Sequence, residues 1–410
     1  MNILMISKSD VHGGAAIAAY RLMYALNSEG ENAKMLVCDK RSDNLKVIQG
    51  GSKLNNRWNF YRERGEIFLY NHLSRKFLFD ISIANTGLSI TELDEFKNAD
   101  VIHLHWINQG MLSIKEIEKI LLSGKKVVWT MHDMWPFTGI CHHSGDCNKY
   151  ENSCGRCPYI ANPSDKDLSN LIFNKKKDIY SKGNITFVAC SDWLKKLAEK
   201  SPLTNGHKIV SVPNPIDTDL YKPKDKLLIR EKLNLPTDKK LLLFAAAKAS
   251  DKRKGTDYLI NASRLIASEI KDKIVFLIAG NEGAEIADRL SSPSICMGYI
   301  DSDKMPDIYN AADVYITPSL QENLPNTIME AMSSGTPCVG FNIGGIPEMI
   351  DHKLTGYVAE YKSSEDLAKG INWTLFEADA ETLSYNSREK VMSIYEQKKV
   401  AALYKTLYEG

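Results

Sequence analysis

The feature that most limits how this chain can fold is a recurring run of apolar, β-rich residues, each followed by a helical pattern. Such runs stand at 2–7 (NILMIS), 33–38 (AKMLVC), 101–106 (VIHLHW), 126–131 (KVVWTM) and 185–190 (ITFVAC). They resume at 240–247 (KLLLFAAA), 274–280 (IVFLIAG), 294–299 (SICMGY), 313–319 (DVYITPS) and 337–342 (PCVGFN). Strands that are apolar without alternation are covered on both faces, and intervening helices supply the cover, so the pattern predicts α/β architecture with parallel sheets. Between the two series lies SVPNPIDTDLYKPKDK (211–226), rich in proline and charge, as linkers are. The expectation is two doubly wound domains in tandem. The first spans 1–212, the linker 213–226, the second domain 227–387, and a closing helix 388–410 returns toward the first domain. In that tail Val391, Ile394, Tyr395, Val400, Leu403, Tyr404 and Leu407 recur at helical spacing. Such sheets bind ligands at the carboxyl ends of their strands, so two facing domains predict a cleft.

Composition narrows the function classes. The chain has 410 residues, 43% of them apolar, and a formal net charge of +1, which gives no overall field for nucleic acid. MNILMISKSD turns polar too soon for a signal peptide, and no apolar run nears the roughly 18–20 residues that span a bilayer. A cytoplasmic protein, lying at the inner face of the cell membrane, is the expectation. Thiols there stay reduced, so clustered cysteines favour metal over disulfides. Cys38, Cys190, Cys296 and Cys338 sit singly in apolar runs and read as small core residues.

The sharpest chemical signal is YITPSLQENLPNTIMEAMSSGTPCVGFNIGGIPEMI (315–350). A strand ends at Pro318-Ser319, a loop carries Glu322, and a helix opening near Asn326-Thr327 carries Glu330. Backbone N–H groups at such a helix start suit a diphosphate, and carboxylates accept hydrogen bonds from vicinal hydroxyls of a ribose or hexose. Glu322 and Glu330 could thus grip opposite ends of one sugar nucleotide. Plainer readings exist: Thr327-x-x-Glu330 is also a capping box, Glu322 a solvated charge, and Gly344-Gly345 a simple turn.

Taken together, Glu322-x7-Glu330, AMSSGTPCV and GGIPE resemble the signature of retaining glycosyltransferase family 4, and the resemblance extends over nearly the whole chain. It implies a GT-B fold of two facing Rossmann-like domains. It also implies a sugar moved from a UDP- or GDP-sugar to a hydroxyl of a glycan or polyprenyl-linked saccharide, with retention, as in bacterial surface-polysaccharide synthesis. By the resemblance Glu330 holds the ribose and Glu322 faces the donor sugar, with Asn323, Leu324, Pro325 and Asn326 lining the sugar side.

Charge builds on the leaving diphosphate, so cations or a metal must meet it. FAAAKASDKRKGTDYLI (244–260) supplies cations, and no catalytic metal is expected. Lys254, before Gly255, stands where the family has a lysine; Lys248 stands where it usually has arginine, giving a point charge in place of a fork. In the first domain Gly13-Gly14 opens a helix but is not GxGxxG, so a dinucleotide site is a poor reading. By the resemblance this turn faces the donor phosphates. His132, just past a strand end, would orient the donor sugar, with Asp133 as its partner or a turn residue; His105 would line the acceptor pocket and His103 would be a core histidine. No first-domain carboxylate stands out as a covalent nucleophile.

Cys141-x5-Cys147-x6-Cys154-x2-Cys157 provides a candidate structural zinc site, with His142 and His143 as substitutes and free thiols as the alternative. Four thiolates would leave no open position for catalysis, so the cluster reads as a staple for the loop that carries His132. RWNFYRERGEIFLYNHLSRKFLFD (57–80) interleaves aromatics with Arg57, Arg62, Arg64, Arg75 and Lys76, and Lys175, Lys176, Lys177, Lys195, Lys196 and Lys200 form a second candidate patch. Either suits an anionic membrane or a lipid-diphosphate acceptor, or is simply the solvated face of core helices. The competing functions are a GT-B-like epimerase or phosphorylase and, from another class, a zinc-knuckle binding protein. The knuckle holds only Lys149 and Arg156 as cations, which argues against nucleic acid.

Overall fold

A computed structural model describes residues 1–249, 251–266 and 268–410. The chain divides into two compact units, Met1–Pro215 with Lys398–Gly410, and Ile216–Gln397.

In the first unit the strands are β1 (Asn2–Ser9), β2 (Asn32–Asp39), β3 (Val47–Gln49), β4 (Val101–Leu104), β5 (Lys126–Met131), β6 (Ile185–Ala189) and β7 (Lys208–Ser211). All pair in parallel, in the order β3-β2-β1-β4-β5-β6-β7. The absence of alternation in the sequence has its cause in the two faces. Ile3 and Met5 point into a core shared with the helices Gly14–Ser28 and Gln397–Glu409, while Leu4 and Ile6 point into the opposite core.

The second unit repeats the plan with β8 (Lys240–Lys248), β9 (Ile274–Asn281), β10 (Ser294–Gly298), β11 (Val314–Thr317), β12 (Cys338–Phe341) and β13 (Gly356–Ala359), in the order β10-β9-β8-β11-β12-β13. These pairs are also parallel. Each sheet reverses its winding beside its first strand, at β1/β4 and β8/β11, which is where open α/β sheets form their binding crevice.

The structure departs from the sequence reading at several points. The tail expected as one helix over 388–410 is two, Ala380–Ile394 and Gln397–Glu409. Ile216 causes the break: its N–H donates to Tyr395 O at 2.9 Å and its carbonyl accepts from Gln397 N at 3.1 Å. Residues expected as linker are also docked, since Ile216 and Tyr221 are buried and Arg388 donates to the carbonyls of Thr218 and Tyr221. Cys296, expected in the core, is exposed on the edge strand β10, whereas Cys38, Cys190 and Cys338 are buried.

Candidate functional site

In the second unit three loops knit together at the β8/β11 crevice. The loop after β8 holds Lys254 in a short 3-10 turn, and Gly255 follows at φ 69°. A Cβ on Gly255 would sit 1.7 Å from Pro318 O, so only glycine lets this loop reach the one after β11. Leu320 N–H donates to Arg253 O at 2.7 Å across the same seam. Gly344, at φ 59°, plays the same part after β12: a Cβ there would lie 1.7 Å from Glu322 O. Gly345 N–H then donates to Asn323 O at 2.8 Å. Gly344-Gly345 is therefore no plain turn but the close contact that sets the Glu322 loop.

The carboxylates are placed by this framework. Lys254 Nζ lies 2.5 Å from Glu322 Oε1. Glu330 is not a capping residue: Pro325 is the N-cap of helix Asn326–Ser333, with no side-chain cap, and Thr327 is engaged by the Tyr315 hydroxyl. Glu330 Oε2 instead accepts from the buried Tyr309 hydroxyl at 2.9 Å. Asn323 and Leu324 are buried beside Glu322, and Pro325 and Asn326 open the helix. Lys248 does not join Lys254 and Glu322; it pairs with Glu282 at 3.0 Å and is largely exposed. Arg253 pairs with Asp251. Tyr309 escaped the sequence reading because an aromatic in DIYNA (307–311) looks like any core residue.

In the first unit Gly13 adopts φ 93° as the N-cap of helix Gly14–Ser28, just past β1. Asp10, buried, accepts from the N–H groups of Val11, Arg41 and Ser42 and so ties the ends of β1 and β2. Burial opposes its charge, but those donors hold its carboxyl below the usual range. His132 lies one residue beyond β5, and burial pushes it down to about 4, against the pull of Asp133. His105 is almost wholly buried; its Nδ1 lies 3.1 Å from His132 Nε2, so it meets His132 and not an open pocket. His103 is a satisfied core histidine, with Tyr408 and Thr130 hydroxyls on its two nitrogens.

Asp133 takes up other partners than His132. It accepts from Trp106 Nε1 at 2.7 Å, from Trp135 N at 2.9 Å and from His142 Nδ1 at 2.7 Å. Burial opposes its charge, and His142 beside it brings it to about 2. His142 is thereby occupied at Nδ1, and at Nε2 by Ser82, so it has no nitrogen to lend to a metal. Lys176 is not on a surface patch. It is buried, donates to the Trp135 and Thr138 carbonyls at 2.6 and 3.0 Å, and lies 3.3 Å from the Trp135 ring centroid.

Cys141, Cys147, Cys154 and Cys157 line one small cavity together with Tyr150 and Tyr159. Gly139 N–H donates to Cys154 Sγ at 3.3 Å, and Tyr159 N–H to Cys157 Sγ. Burial pushes these thiols up, Cys154 to about 11 and Cys157 to about 12. Among the described residues no three His, Cys, Asp or Glu side chains are gathered into a set that could hold a cation. The sequence also contains Asp-x-Asp pairs, at 165–167, 217–219 and 301–303. Asp165 pairs with Arg156, Asp167 caps helix Leu168–Tyr180, Asp217 closes a turn and Asp301 pairs with Lys304.

Helix Lys53–Tyr70 exposes Leu54, Trp58, Tyr61 and Leu69 along one stripe, while Arg64 is buried with Glu63 at 3.2 Å. Among the described residues no helix is long and apolar enough to cross a membrane.

Two parallel, doubly wound sheets with a lysine- and glutamate-lined crevice in the second are the makings of a GT-B-like glycosyltransferase. The chain belongs to glycosyltransferase family 4: the profile described as Glycosyltransferase Family 4 matches residues 12–220, and that described as Glycosyl transferases group 1 matches 239–376. Among curated relatives, the N-acetyl-alpha-D-glucosaminyl L-malate synthase of Bacillus anthracis is 23% identical over 335 residues, 80% of this chain and 79% of its own. Among solved structures, sucrose-phosphate synthase of Thermosynechococcus elongatus superposes with a TM-score of 0.69 at 19% identity, covering 99% of this chain and 98% of its own. HepE of Anabaena, in complex with UDP and glucose, gives 0.64 at 15% identity over 100% and 99%. At these identities the structural likeness concerns the fold.

Proposed function

We propose that the protein transfers a sugar from a nucleoside-diphosphate sugar, UDP- or GDP-linked, to a hydroxyl of a glycan or polyprenyl-linked saccharide, with retention of configuration and without a catalytic metal. The observation that carries this reading is the knit of three loops that brings Lys254 to Glu322 at the sheet's reversal point, with Glu330 on the helix that follows. Lys254 meets the charge that grows on the leaving diphosphate, Glu330 grips the ribose, and Glu322 takes the donor-sugar hydroxyls with Asn323, Leu324, Pro325 and Asn326 around it. Lys248 reaches the diphosphate by exchanging Glu282 for it, which its exposure permits. In the first unit Gly13-Gly14 and His132 serve the phosphates and the sugar. The relatives' names support a nucleotide-sugar donor: one is a UDP-Gal:alpha-D-GlcNAc-diphosphoundecaprenol alpha-1,3-galactosyltransferase of Escherichia coli.

The test is a transfer assay over several sugar nucleotides with the anomeric configuration of the product read by NMR. A retained linkage is expected. An inverted one sinks the retaining reading, and conversion of the donor without transfer favours the epimerase.

Two accessory roles complete the proposal. The stripe Leu54, Trp58, Tyr61 and Leu69, flanked by the exposed Arg57 and Arg62, suits an anionic membrane face. Failure to co-sediment with anionic vesicles at low salt counts against it. Cys141, Cys147, Cys154 and Cys157, which line one cavity but are not gathered into a metal set as they stand, would have to draw together to hold structural zinc; the amide donors aimed at Cys154 and Cys157 support that reading. Metal analysis of protein purified without chelator should find about one equivalent, and under about a tenth ends the idea.

A further inference from the structure

Three imidazoles lie in series behind the carboxyl end of β5, the inner pair tilted and the outer pair stacked. The His103 and His105 ring centroids are 4.1 Å apart, and those of His105 and His132 are 5.4 Å apart. The innermost ring is fixed at both nitrogens. His103 Nδ1 lies 2.7 Å from the Tyr408 hydroxyl and Nε2 lies 2.8 Å from Thr130 Oγ1, which in turn lies 2.9 Å from the Tyr404 hydroxyl. Both tyrosines come from the helix Gln397–Glu409. His103 is thus an immobile floor on which the His105 ring rests.

His105 differs from its neighbour. Only Nδ1 has a nitrogen to meet, His132 Nε2 at 3.1 Å, while Nε2 is buried without a partner. That asymmetry decides the tautomer. A buried N–H without an acceptor costs about 1–3 kcal/mol, and a bare lone pair is the more tolerable orphan. The proton of neutral His105 therefore sits on Nδ1 and is donated to His132 Nε2. A neutral His132 that accepts at Nε2 must carry its own proton on Nδ1, and Cys190 Sγ lies 3.7 Å from that atom.

We propose that His105 is a positioning residue for glycosyl transfer, its Nδ1–H holding His132 in one ring plane and in the tautomer protonated on Nδ1. The catalytic part of this rests on the reading that His132 faces the donor sugar. The structural part does not. His105 thus acts from behind His132 and does not line the acceptor pocket.

The experiment pairs kinetics with the protonation pattern of His132, read by 15N NMR on the full chain and assigned by the signal lost in His132→Ala. In the unaltered protein Nδ1 of His132 should be protonated and Nε2 bare. His105→Phe keeps a flat ring but cannot donate; it should free His132 to exchange between tautomers and lower kcat about 10- to 100-fold, with the donor KM changed less than about threefold. His105→Asn places an amide N–H near the position of Nδ1 and should restore both the tautomer and most of kcat. A His132 protonated on Nε2 in the unaltered protein overturns the proposal, as does a His132 tautomer unchanged in His105→Phe. Should His105→Phe fail to fold, the unaltered protein and His105→Asn still decide the tautomer. Full transfer activity in His132→Ala would sink the active-site reading of His132 and the catalytic role of His105 with it, leaving the tautomer result to stand on its own.

Discussion

Lys254 and Glu322, 68 residues apart in sequence, meet as an ion pair of 2.5 Å between Nζ and Oε1. The two side chains are the proposed phosphate cation and the proposed sugar carboxylate, so without donor each satisfies the other. On the proposed function, the donor's diphosphate and hydroxyls replace that contact when it binds. Lys254→Ala should therefore lower kcat/KM by about 100-fold or more, the scale for removing a charge-stabilising donor. The melting temperature should move by no more than a few degrees, because a partly exposed pair contributes roughly 0–1 kcal/mol. Initial rates and a thermal melt on the same preparation check both halves, and wild-type rates in the variant would remove Lys254 from the mechanism.

Tyr309 donates to Glu330 Oε2 from a fully buried position and fixes the carboxylate from behind. Tyr309→Phe deletes one hydrogen bond to a charged group. The dissociation constant for UDP should rise roughly 5- to 30-fold, equivalent to about 1–2 kcal/mol. If Glu330 holds the ribose hydroxyls, the penalty should vanish for a 2′,3′-dideoxy analogue. Calorimetry with both ligands reads this, and an equal penalty for each would place Glu330 elsewhere.

Cys154 has its partly buried thiol against Gly139 N–H and a left-handed backbone, φ 52°. Serine is shorter and draws the contact apart. Cys154→Ser should cost about 1–2 kcal/mol and lower the melting temperature by several degrees. UDP affinity should be unchanged, since the proposed donor groups lie in the second unit. A loss of UDP binding with an unchanged melt would contradict the staple role.

The stacked histidines give stability a pH signature. Burial lowers His103 to about 3 and His132 to about 4, and it lowers His105 well below its usual value as well. In the unfolded chain a histidine titrates near 6.5. The unfolded state thus takes up protons first as pH falls, so stability is full above about 6.5 and is lost from there toward pH 3. Each histidine steepens the fall by up to about 1.4 kcal/mol per pH unit. Asp133, lowered to about 2, adds its own loss only below about pH 4, at the acid end of the histidine window. Urea midpoints at pH 7.5, 6 and 5 should drop in step, and His103→Gln should flatten the drop. A midpoint indifferent to pH over this range would mean that these rings are not buried as the structure has them.

The sequence alone determined the architecture and the site's constituents. Runs such as NILMIS and KLLLFAAA are apolar on both faces because Ile3 and Met5 meet one helical layer and Leu4 and Ile6 the other, and that demand is written residue by residue. Strands β3, β7 and β13 escaped it because each is a short sheet edge of three or four residues, half of whose surroundings is not another strand. The motif 315–350 likewise named Glu322 and Glu330 as a pair. What only tertiary structure decided is which partner each side chain takes. Lys254 finds Glu322 while Lys248 finds Glu282; Glu330 is held by Tyr309 and not by Thr327; Asp133 serves His142 while His105 serves His132. Lys176 left the surface for a buried seat on the Trp135 and Thr138 carbonyls. The physical reason is common to all of these. Burial and periodicity act over a few neighbouring residues and so mark the sequence, whereas a hydrogen bond is directional and short, and its partners are set by where loops from distant strands come to rest.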